Sequence, residues 1–214
     1  MGTTERRQRE REEIRARILD AARELFSERG YEAVTMRDIA KRIEYSATAL
    51  YFHFKDKEAL MWELCATDFR GLAQNFTRLA RVADPIERLR LTGYAYVDFG
   101  LTHPHHYRLM FMTPHPEGFD TDPQREGAPQ HGNPEEDAYA FLLHTVREAL
   151  TARRFKPEFK DAEALAQLLW AGAHGVVSLR IAKSTDAWVR WRPAKKTARQ
   201  LIDAILAGVV RAGK

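Results

Sequence analysis

The order of apolar and polar positions along the chain is that of a helical protein. Ile14, Ile18, Ala21, Ala22, Leu25 and Phe26 recur at three- and four-residue intervals and mark one face of a first helix. Gly30 is placed to end it. Thr35-x-x-Asp38 reads as a capping box with Asp where Glu is usual. Behind it Met36, Ile39, Ala40 and Ile43 fall at i, i+3, i+4 and i+7, which predicts a helix of about two turns. Glu44-Tyr45 is the break, Ser46 can cap a third short helix, and Asp56 a fourth with Leu60, Leu64, Leu72, Phe76 and Leu79 on its apolar side. Asp84-Pro85-Ile86-Glu87 opens a fifth, to about His103, and Pro104 a short one through Met112. Residues 113–134 carry five of the nine prolines and three glycines, which predicts a long loop. Asn133-Pro134-Glu135-Glu136 is expected to start the next helix, with Ala138, Phe141, Leu142, Thr145, Val146 and Ala149 inside. Two more are expected, from about Asp161 to Ala182 and from about Ala194 to Ala212. No segment alternates with period two and none repeats, so the fold class is all-α.

Composition narrows the class. Hydrophobic residues make up 44% and charged residues 30% of the 214, as in a soluble globular protein. The single cysteine, Cys65, excludes an internal disulfide and a cysteine zinc site. The N-terminus lacks the apolar core of a signal peptide, and the run "LLWAGAHGVV" is short for a bilayer and contains His174. A cytoplasmic protein with no membrane partner is expected. The net charge of +4 is uneven: residues 1–60 hold 13 basic against 12 acidic side chains, 61–180 hold 13 against 16, and 181–214 hold 8 against 2. Bulk charge therefore gives no sign of nucleic acid at the N-terminal end, where the pattern of residues does.

That pattern is "YSATALYFHFKDKEAL", residues 45–60. Two short helices joined by a tight break, after a longer support helix, describe a helix-turn-helix. Its second helix must bring its first turn against base edges in the major groove. Ser46, Ala47, Thr48 and Ala49 are small enough to allow that approach. Leu50 and Phe54 are spaced to face inward, while Tyr51 and His53 project outward and Lys55 and Lys57 follow where phosphates would run.

Thr35-Met36-Arg37-Asp38-Ile39-Ala40, then Ser46 with Leu50-Tyr51-x-His53-Phe54-x-x-Lys57-Glu58-x-Leu60, resembles the second and third helices and the entry to helix four of the TetR family of transcriptional regulators. The resemblance covers about residues 14–65. The family's turn usually reads Ala-Gly-Val before the serine; here it is Ile43-Glu44-Tyr45. Glycine supplies the turn conformation cheaply and Glu44 does so under strain, with a negative charge added near DNA. The resemblance implies that Ala47, Thr48 and Tyr51 meet base edges, beside the capping Ser46. It implies that Arg37, His53 and Lys57, with Lys55, meet mainly phosphate.

The C-terminal half is less distinctive. "HPHHYRLMF", 103–111, and Trp170-x-x-x-His174-Gly175 resemble a TetR subgroup with that signature in its ligand-binding half. Trp170 and His174 share a helix face. With Tyr94, Phe99, Phe111, Tyr139, Phe141 and His144 they could line an apolar cavity for a small molecule, or equally fill a packed core. The family would place its dimer seam on the last two long helices, at Leu165, Leu168, Gly172, Gly175, Leu179, Leu201, Ile205 and Val209. "WVRWR", 188–192, suits a loop packed by its own rings. The Arg6–Arg17 stretch, mixed with Glu, suits a solvated tail able to reach a minor groove.

The organisation expected is a flexible basic tail at 1–13, a helix-turn-helix domain at 14–60 and a helical ligand-binding and dimerisation domain at 61–214. The function expected is a homodimeric regulator, a repressor on double-stranded palindromic operator DNA, released by a small apolar effector. It needs no cofactor, metal or catalytic residue. The competing readings are a constitutive DNA-binding regulator and a helical metal-dependent enzyme built on His103–His115. The latter has no organised carboxylate–histidine set.

Overall fold

A computed structural model of the chain describes residues 3–114 and 131–211. The loop expected at 113–134, with His115, falls mostly outside these residues, as does Ala212. Among the described residues the order is α1 (Thr3–Arg29), α2 (Met36–Arg42), α3 (Ala47–Tyr51), α4 (Lys57–Thr77), α5 (Pro85–Thr102), α6 (Pro104–Phe111), α7 (Ala138–Thr151), α8 (Ala162–Lys183) and α9 (Ala194–Val209). No strand occurs among them; one isolated bridge pairs Phe155 with Val210.

The chain divides into two compact units. The first runs through Asp68 and resumes at His105 to take in α6; the second holds Phe69–Pro104 and α7 to α9. The border thus falls after Asp68 of α4, eight residues beyond the one expected at 60. In the first unit Ile18, Ala22, Phe26, Val34, Ile39, Leu50, Phe54, Leu60 and Leu64 form the core, all essentially buried. Tyr107 and Leu109 of α6 are fully buried as well. Arg23 of α1 bonds Asp68 of α4 at 3.1 Å and Asp20 at 2.8 Å, and His106 Nδ1 lies 2.9 Å from the same Asp68. His105 Nδ1 lies 2.7 Å from Ser27 Oγ, so the two adjacent histidines reach different helices.

The helix starts follow their caps. Asp137, not Asn133, caps α7, its carboxylate accepting from Tyr139 and Ala140. Asn133 instead closes a turn on Glu135. Asp84 and Asp161 cap α5 and α8 as the sequence predicts. The flexible tail expected at 1–13 is corrected: α1 is continuous from Thr3, supported by the i,i+4 pairs Arg6–Glu10 and Gln8–Glu12. In the second unit α8 packs on α9, α5 and α7. Gly172 allows that closeness, because a Cβ there would stand 2.4 Å from Ile205 Cδ1.

Candidate nucleic-acid interface

The first unit presents α3 on a short rigid mount. Thr35 and Asp38 close the capping box at the start of α2: Asp38 N donates to Thr35 Oγ1 at 3.2 Å and Thr35 N to Asp38 Oδ2 at 2.9 Å. Those bonds from Thr35 hold the Asp38 carboxyl below the usual carboxylate range. The end of α2 is a Schellman turn. Tyr45 N donates to Ala40 O at 2.9 Å and Glu44 N to Lys41 O at 3.3 Å, with Glu44 at φ +62° in the left-handed region. Ser46 then caps α3, its hydroxyl accepting from Ala49 N at 3.1 Å.

Five residues cannot hold a helix by their own cooperativity. Leu50 and Phe54 anchor α3 from inside, and Arg15 of α1 from the side. Its guanidinium donates to His53 O, lies 4.3 Å over the Phe54 ring and pairs with Glu63. Arg17 lies 5.5 Å over the Tyr45 ring and donates to Ile43 O. What α3 leaves outward is Ser46, Thr48 and Tyr51, with Ala47 half-buried beside them. Arg37 of α2 and Lys55 after α3 are exposed. Phe52, given no role from the sequence, is the most exposed ring here, at 79%.

Two residues stand differently from their expected setting. Lys57 is turned back on its own unit: its amine donates to Tyr31 O at 2.8 Å and sits 4.1 Å from the Tyr31 ring centre. His53 is half-buried, and its Nδ1 is enclosed with no hydrogen-bond partner. Burial first, then the charges of Arg15 and Arg11, push its pKa down. The same enclosure favours the uncharged form of the ring.

In the second unit Trp170 Nε1 donates to Tyr96 Oη at 2.9 Å, and Tyr96 Oη lies 3.4 Å from His174 Nδ1. Burial lowers the His174 pKa and so favours its neutral ring. The Tyr139 ring lies 5.9 Å from that of Trp170, and its hydroxyl donates to Glu163. Of the eight residues expected around one cavity, Tyr139, Trp170 and His174 come together, joined by Tyr96, which was not among them. Tyr94 turns to Asp203 of α9 at 2.9 Å, and Phe99 packs on His103. Phe111 packs on Tyr107 in the first unit.

The expected seam also divides. Leu165 and Val209 are buried in the chain's own core, and Gly172 is covered by Ile205. Leu168 and Leu179 are exposed along α8, Gly175 has open space at its Cβ position, and Leu201 and Ile205 are half-buried.

Two short helices set at a Schellman turn and backed by α1 and α4 define a helix-turn-helix protein. A family model described as bacterial regulatory proteins, tetR family, matches residues 18–64, and one for the Tetracyclin repressor-like C-terminal domain matches residues 89–210. The chain belongs to the TetR family. It is 39% identical over 87 residues to the HTH-type transcriptional regulator UidR of Escherichia coli K12, which covers 41% of each chain. The chain thus spans about two fifths of the length of the curated relatives it matches first. It is 23% identical over 206 residues to the HTH-type transcriptional repressor KstR2 of Mycobacterium tuberculosis H37Rv, covering 93% of this chain and 94% of that one. The solved structure of KstR2, a ketosteroid transcriptional regulator of Mycobacterium tuberculosis, shares its fold, with a TM-score of 0.70 at 21% identity over 93% and 96% of the two chains.

Proposed function

We propose that the protein is a DNA-binding transcriptional regulator, a repressor that holds a palindromic operator as a homodimer and lets go when a small apolar molecule binds. The observation that carries the DNA reading is the outer face of α3. It combines small residues at the first turn, the exposed Thr48 and Tyr51, and exposed Arg37 and Lys55 on either side, all on a segment fixed by Leu50, Phe54 and Arg15. Thr48, Tyr51 and Ala47 meet base edges, while Arg37 and Lys55 meet phosphate. Lys57 keeps its assignment to phosphate only by sharing its amine with Tyr31.

The effector site is placed around Tyr96, Tyr139, Trp170 and His174, the set that contains the Trp170-x-x-x-His174-Gly175 signature. Its polar points are a hydroxyl and a neutral imidazole, so the effector is small and without strong net charge. KstR2, a ketosteroid transcriptional regulator of the same fold, fits that chemistry. The two-fold seam is placed on the outer side of α8, at Leu168, Gly175 and Leu179, with Leu201 and Ile205 of α9 beside it. This also gives α8 a role other than crossing a bilayer, for which its length and hydropathy would suffice. We place the protein in the cytoplasm.

The test compares Lys55→Ala with Thr48→Ala on duplex DNA across a salt series. Lys55→Ala should weaken all sequences alike and lower the salt slope by about one, whereas Thr48→Ala should relax preference at particular bases. If both variants bind every duplex as the unaltered chain does, α3 is not the reading element.

A further inference from the structure

The N-terminal third of α1 carries a feature that the helix-turn-helix does not use. From Ile18 onward the inner face of α1 is buried: Ile18, Ala22, Leu25 and Phe26. Residues three, four and seven earlier continue that face along the helix. There the sequence places Arg7 and Arg11 in line with Arg15, four and eight residues apart. Arg15 is held against the end of α3 by His53 O and the Phe54 ring. Arg11, one turn further out, is near enough to His53 to lower its pKa. Both Arg7 and Arg11 are exposed, and neither makes an ion pair among the described residues. Glu5, Glu12 and Glu13 fall on the other sides of the helix, while Glu10, four residues before Ile14, flanks the stripe and pairs with Arg6 at 3.5 Å. The helix therefore extends beyond its core with Arg7 and Arg11 on its inner side and one acidic residue, Glu10, at the edge and paired with Arg6.

We infer that Arg7 and Arg11 form a rigid phosphate-binding stripe that carries the duplex contact beyond the half-site read by α3. The inference rests on the DNA reading proposed above and extends it. Arg7 and Arg15 stand about 12 Å apart along the helix at 1.5 Å per residue. A duplex carries one charge per roughly 1.7 Å of axis, so the stripe faces several phosphates next to the groove that α3 enters. Phosphate contact is indifferent to sequence, so the stripe adds affinity and positioning but no base preference.

The test uses the full chain, a duplex selected by the protein from a random pool, and an unrelated duplex of equal length. The double variant Arg7→Gln/Arg11→Gln should lower the salt slope by about two, and weaken both duplexes by the same factor. Trimming the flanks of the selected duplex should weaken the unaltered chain and leave the double variant unaffected. Arg7→Lys/Arg11→Lys should restore the slope, and Arg6→Gln, off the stripe and paired with Glu10, should leave it unchanged; far-UV circular dichroism checks that α1 stays helical. If the double variant keeps the full slope while the unaltered chain binds the selected duplex, the stripe does not touch DNA and the inference fails alone. If the unaltered chain binds no duplex, the DNA reading fails and takes the stripe with it.

Discussion

Glu44 sits where the fold asks for glycine. It is the C′ residue of the Schellman turn that aims α3, at φ +62°, with Tyr45 N and Glu44 N bonded back to Ala40 O and Lys41 O. A residue with a Cβ in that region costs on the order of 1–2 kcal/mol. Glycine would relieve the strain, but it also frees the unfolded chain, which costs about 0.4–1 kcal/mol. Asparagine tolerates the left-handed region without that second cost. Glutamine keeps the strain and removes only the charge. Glu44→Asn should therefore raise stability by about 1 kcal/mol, Glu44→Gly by less, and Glu44→Gln by little. Urea unfolding of the full chain reads these differences. The charge separates in a second assay, because Glu44 is exposed two residues before the Ser46 cap. Glu44→Gln and Glu44→Asn should both tighten duplex binding, most at low salt, where exposed charges are least screened. Equal stability of the Asn and Gln variants would refute the strain reasoning. Unchanged duplex affinity for both would refute the charge reasoning.

Other outcomes follow from the second unit and the buried histidines. Tyr96→Phe removes the hydroxyl shared by Trp170 Nε1 and His174 Nδ1, so it should cost about 0.5–1.5 kcal/mol in denaturant unfolding; a stability equal to the unaltered chain would show the three groups are not joined. His53 and His174 both have pKa values pushed below the ordinary 6.5 by burial. The unfolded chain then binds more protons than the folded one just below that value, so stability should be full above it and fall as pH drops through the folded-state pKa values. His174→Gln should flatten that acid loss in thermal melts. Leu168→Glu/Leu179→Glu places charges on the outer side of α8 and should give a monomer by light scattering with helical content intact; a persistent dimer would place the seam elsewhere.

Local signals were legible where one residue type has one physical use. The Thr35–Asp38 box, the Ser46, Asp84 and Asp161 caps and Gly30 at φ +81° all stand where the sequence puts them. The inward pair Leu50 and Phe54 followed from spacing alone. Four things did not. Helix α1 continues to Thr3 because i,i+4 pairs support it, and mixed Arg and Glu read equally as a solvated tail. Lys57 looked like a phosphate ligand by its place in the motif, but Tyr31 lies far enough away in sequence that no local pattern shows its carbonyl waiting. The aromatic group of the second unit was partly found. Trp170 and His174 share a face by spacing, yet Tyr96, which joins them, comes from α5, and such long-range pairing leaves no periodic trace. The family resemblance put Leu165 and Val209 among the seam residues, while within the chain both are buried in its own core.

The central claim is that α3 reads DNA as one half of a two-fold pair. Selection of binding sites from a random duplex pool by the full chain tests it most directly. The account predicts enrichment of a pseudo-palindrome, with half-site centres one helical turn or a multiple apart, about 34–36 Å per turn. It also predicts that Thr48→Ala enriches a site relaxed at the same position in both halves. Recovery of no shared site, or of an asymmetric one that Thr48→Ala and Tyr51→Phe leave unchanged, would contradict it.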